Sequence, residues 1–169
     1  TFDRLCEMAY DAAALAAFID PDAPGFGEFG DMPAKVRAFC ERTGQPAPTT
    51  HGAVVRCILE SLALKCRVVI ESLEALTGPV RRVHIVGGGV QNALLCQFTA
   101  DALARPVLAG PVEATAAGNI LTQALAHGRV HDLVDIRRVI RGSFTPVTYE
   151  PRQGDAWAGA LDRFRRLTV

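Results

Sequence analysis

The segment RVHIVGGGVQNALL, residues 82–95, constrains the fold more tightly than any other stretch of this chain. Arg82 to Val86 is rich in β-branched residues and reads as a buried strand that empties into Gly87, Gly88 and Gly89. A helix from Gln91 to Leu103 is expected next, then a second strand at Pro106 to Ala109 and a helix from Ala114 to Ala126. Strand, helix, strand and helix at this spacing predict a parallel pair joined by a right-handed crossover. The class is therefore α/β.

Helical patterns flank that unit. Phe2, Leu5, Met8, Ala12, Leu15 and Ile19 recur at helical spacing, which predicts an amphipathic helix over 2–18. Residues 20–33 (DPDAPGFGEFGDMP) read as a loop anchored to the body by Phe26 and Phe29. A short helix over 34–42 ends at Gly44, and Thr50 is placed to cap the longest helix, 51–76, which Gly78 and Pro79 stop. A short helix near 133–141, an extended segment over 144–151 and a last helix over 153–167 complete the chain.

With 169 residues, 49% hydrophobic and 21% charged, the composition suits one globular domain with a sizeable core. Lysine plus arginine number 18 and aspartate plus glutamate 18, so no single-sign field attracts nucleic acid or an anionic membrane, and neither is an expected partner. No apolar run reaches the roughly 18 residues of a membrane span, no secretory leader is visible, and the expected location is the cytoplasm. The five cysteines are scattered and form no C-x-x-C pair, which fits buried thiols better than a disulfide framework or a zinc knuckle. The chain opens at Thr1 inside a helical pattern, so its N-terminus reads as a cut rather than a natural start. A cut through a sheet exposes strand edges, and self-association of such a piece is expected.

Three glycines at the end of a strand leave backbone N–H groups uncovered, and the following helix N-terminus adds about half a positive charge there. Such a turn suits a phosphate or a nucleotide; it also suits tight strand-to-helix packing, and the pattern alone leaves both open. It is not a P-loop, because G-x-x-x-x-G-K-[ST] is absent. A dinucleotide fingerprint is weakened, though not excluded by Glu113 after the second strand, because Asn92 stands where the third glycine belongs. Asn92 can cap the helix through its oxygen or present donor and acceptor groups to a base edge. In AGPVEATAAGNIL, Glu113 and Thr115 fit either helix-start or ligand roles, and the small residues from Ala114 to Gly118 would let the helix approach neighbouring backbone. His127 and His131 lack a third ligand and read as solvated or capping, His84 as a packed core histidine, and Arg163, Arg165 and Arg166 as a solvated face.

The phrases GGGVQNALLCQFTADALARPVLAGP and VEATAAGN resemble the adenosine-motif region of the FGGY carbohydrate kinases, members of the actin-like ATPase superfamily. RCILESLALKCR, residues 56–67, is similar to the helix before that strand, and the resemblance extends over nearly the whole chain. IDPDAPGF, ESLALK, VGGGVQNALLCQ with AGPVEA, and FTPVTYEP look most like the rhamnulokinase branch. The resemblance implies a partial ribonuclease-H-like domain, a short mostly parallel sheet with helices packed on it. It implies that residues 1–169 form the C-terminal portion of an ATP-binding domain, with the sugar-binding domain absent. The implied activity is ATP-dependent phosphorylation of L-rhamnulose at its 1-hydroxyl with magnesium. The implied partners are ATP or ADP and a ketose. Gly88 and Gly89 would lie against the nucleotide, Gly87 would shape the turn, Asn92 would face adenine or ribose, Gln91 would be a further contact, and Glu113 and Gly118 would support. The family's catalytic base is expected upstream, so no catalytic residue and no metal ligand is assigned here. Another FGGY kinase, such as a fuculokinase or xylulokinase, or a non-catalytic actin-like binding module, is the alternative.

Overall fold

The computed structural model describes residues 1–152 and 154–168. The helices are α1 (Phe2–Asp11), α2 (Met32–Arg42), α3 (His51–Thr77), α4 (Ala93–Leu103), α5 (Ala114–Ala126), α6 (Leu133–Ser143) and α7 (Gly154–Arg165). The strands are β1 (Val83–Ile85), β2 (Val107–Ala109) and β3 (Val147–Tyr149), in the spatial order β1-β2-β3. The expected parallel pair is present, with Val83 opposite Val107 and Ile85 opposite Ala109. The extended segment near the C-terminus adds β3 antiparallel to β2, so the sheet is mixed. Along each strand side chains alternate between faces. Val83, Ile85 and Val107 pack with Ala100 and Leu103 of α4, and His84 falls on the opposite face.

The 27-residue α3, about 40 Å long, is the beam against which α1 and α4 lie. The Thr50 hydroxyl caps it by accepting the Ala53 N–H at 3.1 Å, and Gly78 closes it at φ 82°. Where α1 crosses α3 there is no room for a side chain: a Cβ at Gly52 would stand 2.2 Å from the Met8 carbonyl oxygen. The main core joins Leu59 and Leu64 of α3, Phe98 of α4, and Trp157 and Phe164 of α7 around Phe18. A second cluster packs Val36, Phe39 and Cys40 of α2 against Val54 and Cys57 of α3.

The first helix stops at Asp11, short of the expected 2–18, because tertiary partners take the backbone groups that a longer helix would need. Arg56 Nη1 donates to the carbonyls of Ala9, Tyr10 and Ala12 at 3.1, 2.7 and 2.8 Å. Both Glu60 carboxylate oxygens accept the Leu15 N–H, at 3.0 and 2.9 Å, with Leu15 held at φ 52°. The Phe18 N–H goes to the Gln45 side chain and the Ile19 N–H to Ser61 Oγ, each at 2.9 Å. Glu60 is only 1% exposed and pairs with Arg56 at 2.7 Å. Burial pushes its carboxyl pKa up, while the Leu15 N–H and the Arg56 guanidinium hold that rise back.

Other expectations also change. Phe26 anchors its loop on Phe39 at 5.7 Å, but Phe29 is fully exposed. His84 is exposed rather than packed in the core, because its face of the sheet is not covered by α4. Arg163, Arg165 and Arg166 are exposed as expected, although Arg163 also lies 4.9 Å from the Phe18 ring centroid and donates to the Leu15 carbonyl at 2.6 Å, and Arg165 pairs with Glu71. Helix α5 rides on the surface, and a Cβ at Gly118 would meet nothing within 4 Å, so its small residues do not bring it against neighbouring backbone. Among the described residues no helix is long and apolar enough to cross a membrane.

Candidate functional site

Both parallel strands end at glycines that adopt positive φ, Gly87 at 80° and Gly110 at 127°. The Gly110 N–H donates to the Ile85 carbonyl at 2.8 Å and the Gly87 N–H to the Pro111 carbonyl at 3.0 Å. These bonds lay the AGP turn beside the glycine turn at the carboxyl end of the parallel pair, where open α/β sheets bind ligands.

Gly88–Gln91 forms one 3-10 turn, with the Val90 N–H on the Gly87 carbonyl and the Asn92 N–H on the Gly89 carbonyl, both 3.2 Å. This turn absorbs the residues expected to begin the next helix, which starts at Ala93 instead. Gly88 and Gly89 open the turn, so no carbonyl within it can take their N–H groups. Both are exposed, and a Cβ at either would meet nothing within 4 Å. Backbone conformation explains glycine at 87. Packing within this chain does not explain glycine at 88 and 89, where the backbone stays bare toward solvent.

Asn92 occupies the N-cap of α4, and its Oδ1 accepts the Leu95 N–H at 3.0 Å. The residue is 8% exposed, and no described hydrogen bond uses its NH2 group. Asn92 and the exposed Gln91 line a cavity of about 470 Å³, a size common for small-molecule sites. The opposite wall is α1, which contributes Phe2 and Tyr10, 59% and 71% exposed, with Asp3 and Glu7 beside them. Tyr149, Gln97 and Arg152 complete the rim. Gln97 Nε2 donates to Asp101 Oδ1 at 3.0 Å and to the Glu150 carbonyl at 2.8 Å, and Asp101 Oδ1 also accepts the Arg152 N–H at 2.7 Å, so this wall is tied to α4. Burial pushes the Cys6 thiol pKa up, helped by Asp3, and burial raises the Tyr149 hydroxyl, helped by Cys96, so both groups stay neutral at the wall.

The five expected binding residues thus lie within residues 87–92, but only Gln91 and Asn92 line the cavity, and the three glycines precede them in the chain without lining it. The aromatic and amide lining suits a flat heterocycle, and the bare amides of Gly88 and Gly89 suit an anion or ribose oxygens. Asp3 and Glu7 would repel phosphates from the α1 side. The α1 wall was not legible in the sequence as part of a site, because Phe2 shares the spacing that marks a core face and Tyr10, outside that spacing, reads as an ordinary surface residue. Glu113 sits at the N-cap of α5 without a side-chain cap bond, and Thr115 is exposed. His127 ends α5 and, like His131, is exposed. Among the described residues no group of three His, Cys, Asp or Glu side chains is placed to hold a metal ion.

The chain matches the family described as "FGGY family of carbohydrate kinases, C-terminal domain" over residues 2–127. It is 42% identical over 166 residues to a rhamnulokinase of Bacteroides thetaiotaomicron, covering 98% of this chain and 34% of that protein. A rhamnulokinase of Pectobacterium carotovorum is also 42% identical, and one of Bacillus subtilis is 36% identical over 92% of the chain. The chain spans about a third of the length of these relatives. Among solved structures it is similar to a xylulose kinase from Rhodospirillum rubrum (TM-score 0.63, 22% identity) and to a Plasmodium falciparum glycerol kinase with ADP (TM-score 0.66, 16% identity). Each likeness covers 99% of this chain and 33% of the solved one and carries the fold, that of the actin-like ATPases. A family match over residues 2–127, joined to relatives that align along nearly the whole chain, shows that the chain belongs to the FGGY family of carbohydrate kinases.

Proposed function

We propose that this chain is the nucleotide-binding portion of an ATP-dependent sugar kinase that converts L-rhamnulose and ATP to L-rhamnulose 1-phosphate and ADP. The observation that carries the reading is the pair of bare amides at Gly88 and Gly89, set beside Asn92 and its cavity at the end of the parallel strands. The rhamnulokinases among its relatives supply the choice of sugar. In this reading the Gly88 and Gly89 N–H groups hold the nucleotide, Gly87 bends the chain around it, and Gln91 with the Asn92 NH2 group faces adenine or ribose.

In such a reaction the sugar hydroxyl oxygen forms a bond to the γ-phosphorus as the bond to the ADP oxygen breaks, and a general base takes the hydroxyl proton. This chain's part is to fix the nucleotide and hold it still, which makes the in-line geometry reproducible. The base and the sugar pocket are assigned to residues outside it. Magnesium would arrive on the ATP phosphates; the described residues form no carboxylate cage for it, and no step is assigned to it here.

The test is Gly88→Val in the whole enzyme. A Cβ at this position meets no protein atom within 4 Å, so folding should be unaffected. KM for ATP should rise roughly tenfold or more while KM for sugar stays constant. An unchanged ATP constant removes Gly88 from the site. A panel of L-rhamnulose, L-fuculose and D-xylulose separates the rhamnulokinase reading from the other kinases of the family, and phosphorylation of none of them favours a non-catalytic binding module.

A further inference from the structure

On the sheet face away from α4 lies a second cavity of about 640 Å³. Arg82 and His84 enter it from β1 and its approach, Leu108 from β2, and Arg137, Arg141 and Phe144 from α6 and its end. No aspartate or glutamate among the described residues lines it. Elsewhere in the molecule Arg56, Arg67 and Arg105 each pair with a glutamate. None of Arg82, Arg137 and Arg141 takes part in a described ion pair, while their neighbour Arg138 pairs with Asp135 at 2.7 Å. Three guanidinium groups around an apolar floor repel one another and sum to a positive field along a concave wall. A bound anion relieves that repulsion. Arginine is the side chain best shaped to grip a carboxylate, sulfonate or phosphate through paired N–H donors.

We infer that this cavity is a second binding site, for a small anion with an apolar body. The charged end meets Arg137 and Arg141, and the apolar part covers Leu108 and Phe144. The site shares no lining residue with the cavity beside Asn92, so it stands whether or not the nucleotide assignment holds. Its upper edge reaches Val86 and Gly110, so two sources of anion need separating: an independent small molecule, to which the lack of shared lining points, and the phosphates of the nucleotide itself.

The probe is anilinonaphthalene sulfonate, an apolar ring system with one sulfonate, titrated by fluorescence into the whole protein. Saturable binding is expected, weakened roughly tenfold or more in Arg137→Gln/Arg141→Gln, the loss expected for charge-assisted hydrogen bonds. ATP should leave the probe bound, and KM for ATP should not change. The replaced side chains are exposed, and circular dichroism checks the fold; Arg82→Gln, on a different element, repeats the measurement should the double variant not fold. Absence of saturable binding, or equal affinity in the arginine variants, overturns the site. Displacement of the probe by ATP assigns the arginines to the nucleotide phosphates and overturns an independent ligand.

Discussion

Asn92 serves the fold through its oxygen and, in the proposed reading, a ligand through its nitrogen. Its oxygen is committed to the Leu95 N–H, and its NH2 group remains for the cavity. The two roles separate by substitution. Asn92→Asp keeps a capping oxygen and loses the donor, so stability should hold while KM for ATP rises. Asn92→Ala loses both and should also cost about 1 kcal/mol of stability in urea unfolding. Equal ATP constants in wild type and Asn92→Asp would leave Asn92 as a cap alone. The cap was one of two roles open from the sequence, because an amide before an apolar run fits either; the choice needed the position of Leu95. At Gly87, Gly88 and Gly89 the sequence showed where the backbone lies bare. Only the coordinates separated Gly87, held by its dihedral, from Gly88 and Gly89, which nothing in this chain obliges to be glycine.

Helices and strands were legible where local signals decide them. Thr50 and Gly78 bound α3 as expected, because capping bonds and positive φ act within a few residues of the helix end. The 12–19 segment was not legible, because Arg56, Glu60, Ser61 and Gln45 take its backbone groups from 27 to 45 positions away. The phrase ESLALK thus works as a template for the loop after α1: Glu60 holds Leu15, Ser61 holds Ile19, and Lys65 reaches Asp22 at 2.5 Å. The crossing of α1 over α3 depends on Gly52. A methyl group there would collide with the Met8 carbonyl, so Gly52→Ala should destabilise by about 1–3 kcal/mol despite alanine's better helix propensity. Differential scanning calorimetry would show it as a lowered Tm, and a raised Tm would mean that α1 does not sit at this distance.

At the scale of the molecule the chain supplies a sheet, its crossover helix and the strip proposed to hold the nucleotide, and no catalytic residue is assigned to it. The 169 residues alone should therefore phosphorylate no ketose; turnover of L-rhamnulose by this piece, followed by ADP release, would overturn the assignment of base and sugar pocket to other residues. Sequence by itself determined the parallel pair, the glycine turn between strand and helix, and the family, since β-branched runs, caps and glycine act through neighbouring residues or persist as phrases. Tertiary structure alone decided the third, antiparallel strand, the end of α1, and the two cavities. Those features arise where side chains and backbone groups distant in the chain meet, and spacing along a chain does not encode which of them will do so.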